Sequence, residues 1–250
     1  MNKLTASNIS VSYGATKIIE GISIELNKGE IVSLLGVSGV GKSTLFNVLS
    51  GLLRPDSGTI TMDEEDITGK TGKLSYMLQK DMLLPFKTIV DNVALPLVIK
   101  GKKKKEARKT ASSYFEEFGL SGTENKYPKQ LSGGMRQRAA LLRTYLFSDQ
   151  VALLDEPFSA LDTITKSNLH QWYLQVMENI KLSTLFITHD IDEAILLSDR
   201  IYIMTGKPGH ISEEIRIDAK KPRGEEFLVS EEFIRYKKHI GMTLKQNEQE

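Results

Sequence analysis

At 250 residues, 40% of them hydrophobic, the chain is long enough for one large domain or two small ones and apolar enough to bury a full core. A formal net charge of +1 gives no global field toward nucleic acid or anionic lipid, so any such contact has to be local. The absence of cysteine excludes disulfides and thiolate metal sites and fits a reducing compartment.

The opening Met1-Asn2-Lys3-Leu4-Thr5-Ala6-Ser7-Asn8 has no apolar signal-peptide core. No run of about 18 apolar residues occurs anywhere, so neither secretion nor a membrane span is expected. Residues 3–28 alternate apolar and polar positions (Leu4, Ala6, Ile9, Val11, then Ile18, Ile22, Ile24, Leu26), which predicts a small antiparallel sheet of half-exposed strands. Glu30-Ile31-Val32-Ser33-Leu34-Leu35 reads as a short buried strand, and residues 42–49 carry the apolar spacing of a helix. Between them, Gly36-Val37-Ser38-Gly39-Val40-Gly41-Lys42-Ser43-Thr44 matches the phosphate-binding pattern G-x-x-x-x-G-K-[ST] at every fixed position. In such a strand, glycine turn and helix, backbone N–H groups close around phosphate oxygens, and the helix N-terminus adds about half a positive charge. Lys42 then reaches the β- and γ-phosphates, and the Ser43 hydroxyl helps hold Mg²⁺. A plain glycine-rich joint would explain the three glycines but not Gly-Lys-Ser at a helix start.

Gly51-Leu52-Leu53-Arg54-Pro55-Asp56-Ser57-Gly58 is turn-rich, and Thr59-Ile60-Thr61-Met62 can return as a strand. Residues from about 90 to 145 read mainly as helix, with Ala107, Ala111, Tyr114, Phe115 and Phe118 near helical spacing, which predicts a helical insertion. The run Lys102-Lys103-Lys104-Lys105 lacks interleaved aromatics and reads as a solvated helix start. In Leu131-Ser132-Gly133-Gly134-Met135-Arg136-Gln137-Arg138, Ser132 can N-cap a helix running through Leu142, and Gly133-Gly134 leaves backbone N–H groups unshielded. Two anion sites so far apart in one sequence suggest that two copies each supply half of a site.

Val151-Ala152-Leu153-Leu154, Ser183-Thr184-Leu185-Phe186-Ile187 and Arg200-Ile201-Tyr202-Ile203-Met204 are short apolar runs of the kind found in buried parallel strands. Helical patterns separate them, so βαβ units and a central parallel sheet follow. The first run ends in Asp155-Glu156-Pro157, two carboxylates at the strand end where open parallel sheets meet ligands. Asp155 can coordinate Mg²⁺ directly or through water, and Glu156 can act as general base on the water that attacks the γ-phosphate. After Gly209 the chain mixes charge with scattered apolar residues, and residues 231–242 predict a surface helix.

Across residues 3–210 the chain resembles the ATP-binding cassette family, the nucleotide-binding subunits of ABC transporters. In that family the loop at residues 36–44 is Walker A, the strand at residues 151–156 is Walker B, and Ser132-Gly133-Gly134 resembles the signature. The resemblance further implies that Gln79 contacts Mg²⁺ and the attacking water, and that His189 in Thr188-His189-Asp190 is the switch histidine that senses the γ-phosphate. Tyr13 matches the aromatic that stacks on adenine, and Ser159-Ala160-Leu161-Asp162 resembles the D-loop. Met135 departs from the family's commonest signature, which carries Gln there. The Leu-Ser-Gly-Gly-Met-Arg-Gln-Arg version resembles the branch serving nitrate, sulfonate, taurine and thiamine-precursor importers, as do Pro208-Gly209 and Pro222-Arg223.

The implied fold is α/β: a P-loop NTPase (RecA-like) core with a mixed central sheet, an N-terminal antiparallel β subdomain and an inserted α-helical subdomain. The corresponding division is residues 1–89 for the first part of the nucleotide-binding core, 90–144 for the helical subdomain, 145–210 for the second part of the core and 211–250 for a C-terminal extension. The implied activity is ATP hydrolysis with Mg²⁺, by two copies that clamp two ATP molecules and drive a transmembrane permease fed by an extracytoplasmic solute-binding protein. That places the chain on the cytoplasmic face of the membrane, with no nucleic acid as partner. In Lys80-Asp81-Met82-Leu83-Leu84-Pro85-Phe86-Lys87-Thr88 the apolar residues either receive a short partner helix or belong to the core between lobes. A non-transport cassette ATPase acting on nucleic acid or ribosomes is the alternative; such proteins usually carry two cassettes or long coiled-coil arms, and this chain has one P-loop and no sustained heptads. A small-molecule kinase would use residues 36–44 but leave Ser132-Gly133-Gly134 idle.

Overall fold

The computed structural model describes residues 2–159, 163–221 and 223–246. Strands β1 (Asn2–Tyr13) and β2 (Thr16–Asn27) pair antiparallel, burying Leu4, Ala6, Ile9 and Val11 from one and Ile19, Ile22, Ile24 and Leu26 from the other. Strand β3 (Ile31–Gly36) follows, buried along its whole length, and a tight loop leads into α1 (Lys42–Leu49). Strands β4 (Ser57–Met62) and β5 (Glu65–Asp66) complete a four-stranded sheet ordered β2-β1-β4-β5. The chain continues through β6 (Ser75–Met77), α2 (Ile89–Ile99), α3 (Lys104–Ser112), a 3-10 turn at Pro128–Gln130 and α4 (Gly133–Phe147). Then come β7 (Val151–Asp155), α5 (Thr163–Ile180), β8 (Ser183–Thr188), α6 (Ile191–Leu197), β9 (Arg200–Thr205), β10 (His210–Arg216), α7 (Glu225–Leu228) and α8 (Glu231–Gln246).

The second sheet runs β10-β9-β3-β8-β7-β6, parallel throughout except for β10, which pairs antiparallel with β9 at the edge. Period-2 alternation assigns each face. Val32, Leu34, Val151, Leu153, Leu185 and Ile187 point into one cluster with Leu45, Phe46, Val48 and Leu49 of α1 and the buried side of β1 and β2. Their neighbours Ala152, Leu154 and Phe186 point the other way, against Val90 and Val93 of α2, Leu141 and Leu142 of α4, and Leu169 and Tyr173 of α5. Each fully buried side chain such as Phe46 contributes roughly 1.5–3 kcal/mol relative to exposure, so both faces must be covered for these runs to stay in the sheet.

The register brings three strand ends together. Leu35 pairs with Thr188 and Asp155 with Ile187, so Gly36, Asp155 and Thr188 end at the same edge of adjacent strands. That edge is the carboxyl end of an open parallel sheet, where ligands bind.

Two stretches differ from the periodicity. Helix α3 stops at Ser112, and Tyr114, Phe115 and Phe118 lie in turns. Tyr114 N–H donates to Ala111 O and Phe115 N–H to Ser112 O, so the chain tightens to i→i−3 bonds; Phe115 and Phe118 stay buried with the helices all the same. The tail is also more ordered than its composition predicts. Strand β10 extends the sheet, and α8 is the expected helix at the surface, docked through Phe233 and Ile240 on Leu35, Ile195 and Ile203.

Candidate functional site

The loop from β3 to α1 is shaped by close approaches. A β-carbon on Gly36 would sit 2.4 Å from the Met204 carbonyl oxygen, and Gly41, at φ 110°, would place one 2.5 Å from Ile19 Cγ2. Only glycine fits either position. Gly41 N-caps α1 without a side chain, and the first turn holds no acidic residue, so the helix N-terminus stays open to an outside anion. Lys42 folds back on the loop: its Nζ donates to the Gly36 carbonyl at 2.8 Å and the Val37 carbonyl at 2.9 Å. Burial holds its ammonium below the usual lysine range, with the charges of Glu156 and Asp155 opposing the shift.

Asp155 ends β7 facing α1. The Ser43 hydroxyl donates to its Oδ2 at 3.3 Å and the Tyr76 hydroxyl at 3.4 Å. Burial pushes the carboxyl of Asp155 upward, partly countered by the Ser43 hydrogen bond. Glu156 stands just past the strand at φ 45°, a left-handed conformation that costs a non-glycine residue about 1–2 kcal/mol. It is held there by its N–H to Ile187 O at 3.1 Å and by its carbonyl, which accepts from Ser159 N at 3.2 Å and Ser159 Oγ at 3.0 Å. The strained backbone aims the carboxylate between two partners. Gln79 Nε2 donates to Oε2 at 3.0 Å, and His189 Nδ1 meets Oε1 at 3.0 Å.

These groups border a cleft of about 550 Å³ lined by Tyr13, Ser38, Gly39, Gly41, Lys42, Ser43, Thr44, Gln79, Glu156 and His189, with Ile18 and Ile187. Tyr13, half exposed at the end of β1, sits on its rim. Other nominated residues lie elsewhere. Gly36 and Val37 face the cleft only through the carbonyls that hold Lys42, Asp155 meets it through Ser43, and Val40 is buried in the core. Ser132 N-caps α4, accepting from Met135 N at 3.2 Å, and Gly134 packs toward Thr165 of α5. Neither Ser132 nor Gly134 borders the loop of residues 36–44; Gly133 lines a second cleft of about 730 Å³ that shares Gln79, Glu156 and His189 with the first. Of the D-loop residues, Ser159 braces Glu156, while Ala160, Leu161 and Asp162 lie outside the described residues, as does Pro222.

Sequence reasoning missed several supports. Tyr76 bonds Asp155, but it lies in a three-residue strand too short to show a period. Arg136 Nε donates to Asp81 Oδ2 at 3.2 Å, and Arg143 donates to the Asp81 and Met82 carbonyls, tying the segment after Gln79 to α4. Their i, i+7 spacing was a legible sign that both lie on one helix face. Lys166 bridges Asp190 at 2.6 Å and Glu193 at 2.8 Å beside His189.

Comparison with known proteins fits this geometry. Residues 19–159 match the family model described as ABC transporter. The chain is 48% identical over 215 residues to the formylaminopyrimidine import ATP-binding protein ThiZ of Halalkalibacterium halodurans, covering 86% of this chain and 84% of that one. It is 36% identical over 243 residues to the nitrate import ATP-binding protein NrtD of Synechocystis sp., covering 95% and 91%. Among solved structures, it matches a dimeric ATP-binding cassette in a post-hydrolysis state bound to ADP and Pi, with a TM-score of 0.72 and 27% identity over 87% of this chain and 100% of that one.

Proposed function

The chain belongs to the ABC transporter family, among import ATP-binding subunits, and is an ATPase; on that premise we propose that two copies close around two ATP molecules to drive a small solute through a membrane permease. The observation that carries the mechanism is Glu156, aimed by a strained backbone and flanked by Gln79 and His189 next to the Lys42 loop.

In this reading Tyr13 stacks on adenine, and the N–H groups around Ser38, Gly39, Gly41, Ser43 and Thr44 take the phosphates. Lys42 exchanges the Gly36 and Val37 carbonyls for phosphate oxygens. Glu156 accepts the proton of a water oriented by Gln79, that water's oxygen bonds to the γ-phosphorus, and the bond to the β-bridging oxygen breaks to release ADP. His189 contacts the γ-phosphate and reports its presence. The donor set fits Mg²⁺: Ser43 Oγ, the Asp155 carboxylate and the Gln79 amide are hard oxygen donors, and no trio of His, Cys, Asp or Glu among the described residues could hold a metal alone. Those residues would hold the ion, which would supply positive charge against the phosphates.

The distance of Ser132 and Gly134 from the chain's own phosphate loop supports a second copy as their ATP partner, as does the dimeric state of the solved relative. A groove of about 380 Å³ lined by Leu52, Met82, Leu95, Pro96, Ile99 and Phe147, with Phe86 73% exposed in the adjoining loop, suits a short apolar helix of the permease. No helix among the described residues is long and apolar enough to cross a membrane; likeness to import ATP-binding subunits supports peripheral binding at the cytoplasmic face. The relatives' names support a solute of the formylaminopyrimidine, nitrate or sulfonate kind; in this reading an extracytoplasmic binding protein delivers it. We divide the chain accordingly into residues 1–89 and 145–210 as the nucleotide-binding core, 90–144 as the helical subdomain and 211–250 as an extension.

The test is capture of the tagged chain from detergent-solubilised membranes. An integral membrane protein retained with it, and released by Phe86→Asp, supports the reading; ribosomes or nucleic acid in its place would overturn the transport role.

A further inference from the structure

The C-terminal segment makes its most buried polar contacts on the helix that follows His189. Arg223 is 2% exposed; Asp199 and Glu232 are near enough to favour its charge, yet among the described residues none of its hydrogen bonds goes to a carboxylate. Among the described residues its guanidinium donates to backbone carbonyls: Ile195 at 2.7 Å, Leu196 at 3.4 Å and Ser198 at 2.6 Å at the end of α6, Ile217 at 3.0 Å and Ala219 at 2.9 Å in the strand exit. The last carbonyls of a helix have no partner within it and carry its negative end, so a buried cation there both satisfies them and fixes the helix. At the opposite end, Lys237 of α8 pairs with Asp192 at 2.7 Å. Phe233 and Ile240 of α8 cover Ala194 and Ile195, in the cluster that also holds Leu35, the residue before Gly36.

Helix α6 is short, roughly 10 Å end to end, so contacts at its last carbonyls bear on its first turn. Its N-cap is Asp190, which accepts from Asp192 N and Glu193 N and follows His189 directly. Where α6 sits therefore decides where the imidazole meets Glu156. We infer that residues 217–246 set the placement of His189 through α6, with Arg223 as the positioning residue. The inference rests on the reading of His189 as a participant in ATP hydrolysis, and it gives the extension a role in turnover beyond packing.

The test measures ATP hydrolysis and imidazole resonances of the full chain in Arg223→Gln, Arg223→Lys and His189→Ala. Arg223→Gln should lower kcat by roughly three- to tenfold with KM for ATP held within about twofold, because nucleotide contacts are untouched while the transition-state contact loosens. Only four histidines are present, so the His189 signal is assigned by its loss in His189→Ala, and it should move in Arg223→Gln. Arg223→Lys keeps the charge with three donors in place of five and should shift both readouts in the same direction by less. If Arg223→Gln does not fold, Arg223→Lys decides on the same two readouts. An unmoved His189 resonance, with or without loss of kcat, overturns the inference. Unchanged kcat in His189→Ala would instead overturn the reading on which it stands.

Discussion

Glu156 occupies backbone that a side chain disfavours, and what it gains is a carboxylate facing the phosphate loop with both oxygens engaged. Glu156→Gln keeps the shape and removes the base. Steady-state ATPase assays should show a loss of about 10²–10⁴, while ATP still binds in equilibrium titration; near-normal turnover would reject the role. Lys42→Ala acts on the other side of the cleft and should weaken ATP binding itself, read by the same titration. Asp155 makes a prediction of opposite sign for stability. Its folded-state carboxyl is raised by burial, so its favourable contribution is complete only below the unfolded aspartate range of about 3.9 and is lost as pH rises through the folded value. Asp155→Asn should therefore raise the Tm of the nucleotide-free chain near neutrality, lose that advantage in acid, and abolish stabilisation by Mg²⁺ with ATP. Lys42, Ser43 and Glu156 were nominated from the residue types and spacings that phosphate chemistry asks for, and Gln79 and His189 from the family resemblance; the fold brings all five to one cleft. Tyr76 and Lys166 were not legible, because each acts through a neighbour and obeys no spacing.

Strands β3, β7, β8 and β9 were legible as apolar runs because a parallel strand covered on both faces needs no polar side. Strand β10 was not. At the sheet edge it keeps one side wet, and its exposed His210, Glu214 and Arg216 read as tail. The segment after Gln79 was open to two readings, core or contact. Asn92, fully buried, decides it by gathering the loop inward: its Oδ1 accepts from Leu84 N at 2.6 Å, and its Nδ2 donates to the Leu84, Lys87 and Thr88 carbonyls. Leu83 turns in, while Met82 and Phe86 are left outside. Phe86→Asp removes no core packing, so it should lower solute uptake in a reconstituted transporter and spare ATPase activity of the isolated chain. Equal loss of both would assign Phe86 a folding role.

Taken whole, the molecule offers one phosphate loop facing a cleft and one capped glycine pair that lies apart from it. Two copies placed head to tail would complete both. With a net charge of +1, no strong repulsion opposes that pairing. ATP with Mg²⁺ should thus convert Glu156→Gln from monomer to dimer in light scattering, and Ser132→Arg should prevent it while lowering the monomer's Tm only by the roughly 2–4 °C that loss of one helix N-cap costs; a dimer that survives Ser132→Arg would count against the shared site.

Lys42, bonded to Gly36 and Val37, and Glu156, bonded to Gln79 and His189, are charged groups whose partners the fold itself supplies. ATP then exchanges partners instead of adding them, and each exchanged bond is worth only about 1 kcal/mol net. Grip is thereby moderated. A cyclic motor has to shed ADP as readily as it captures ATP, and a loop that reclaimed its own lysine would provide a restoring pull for that release.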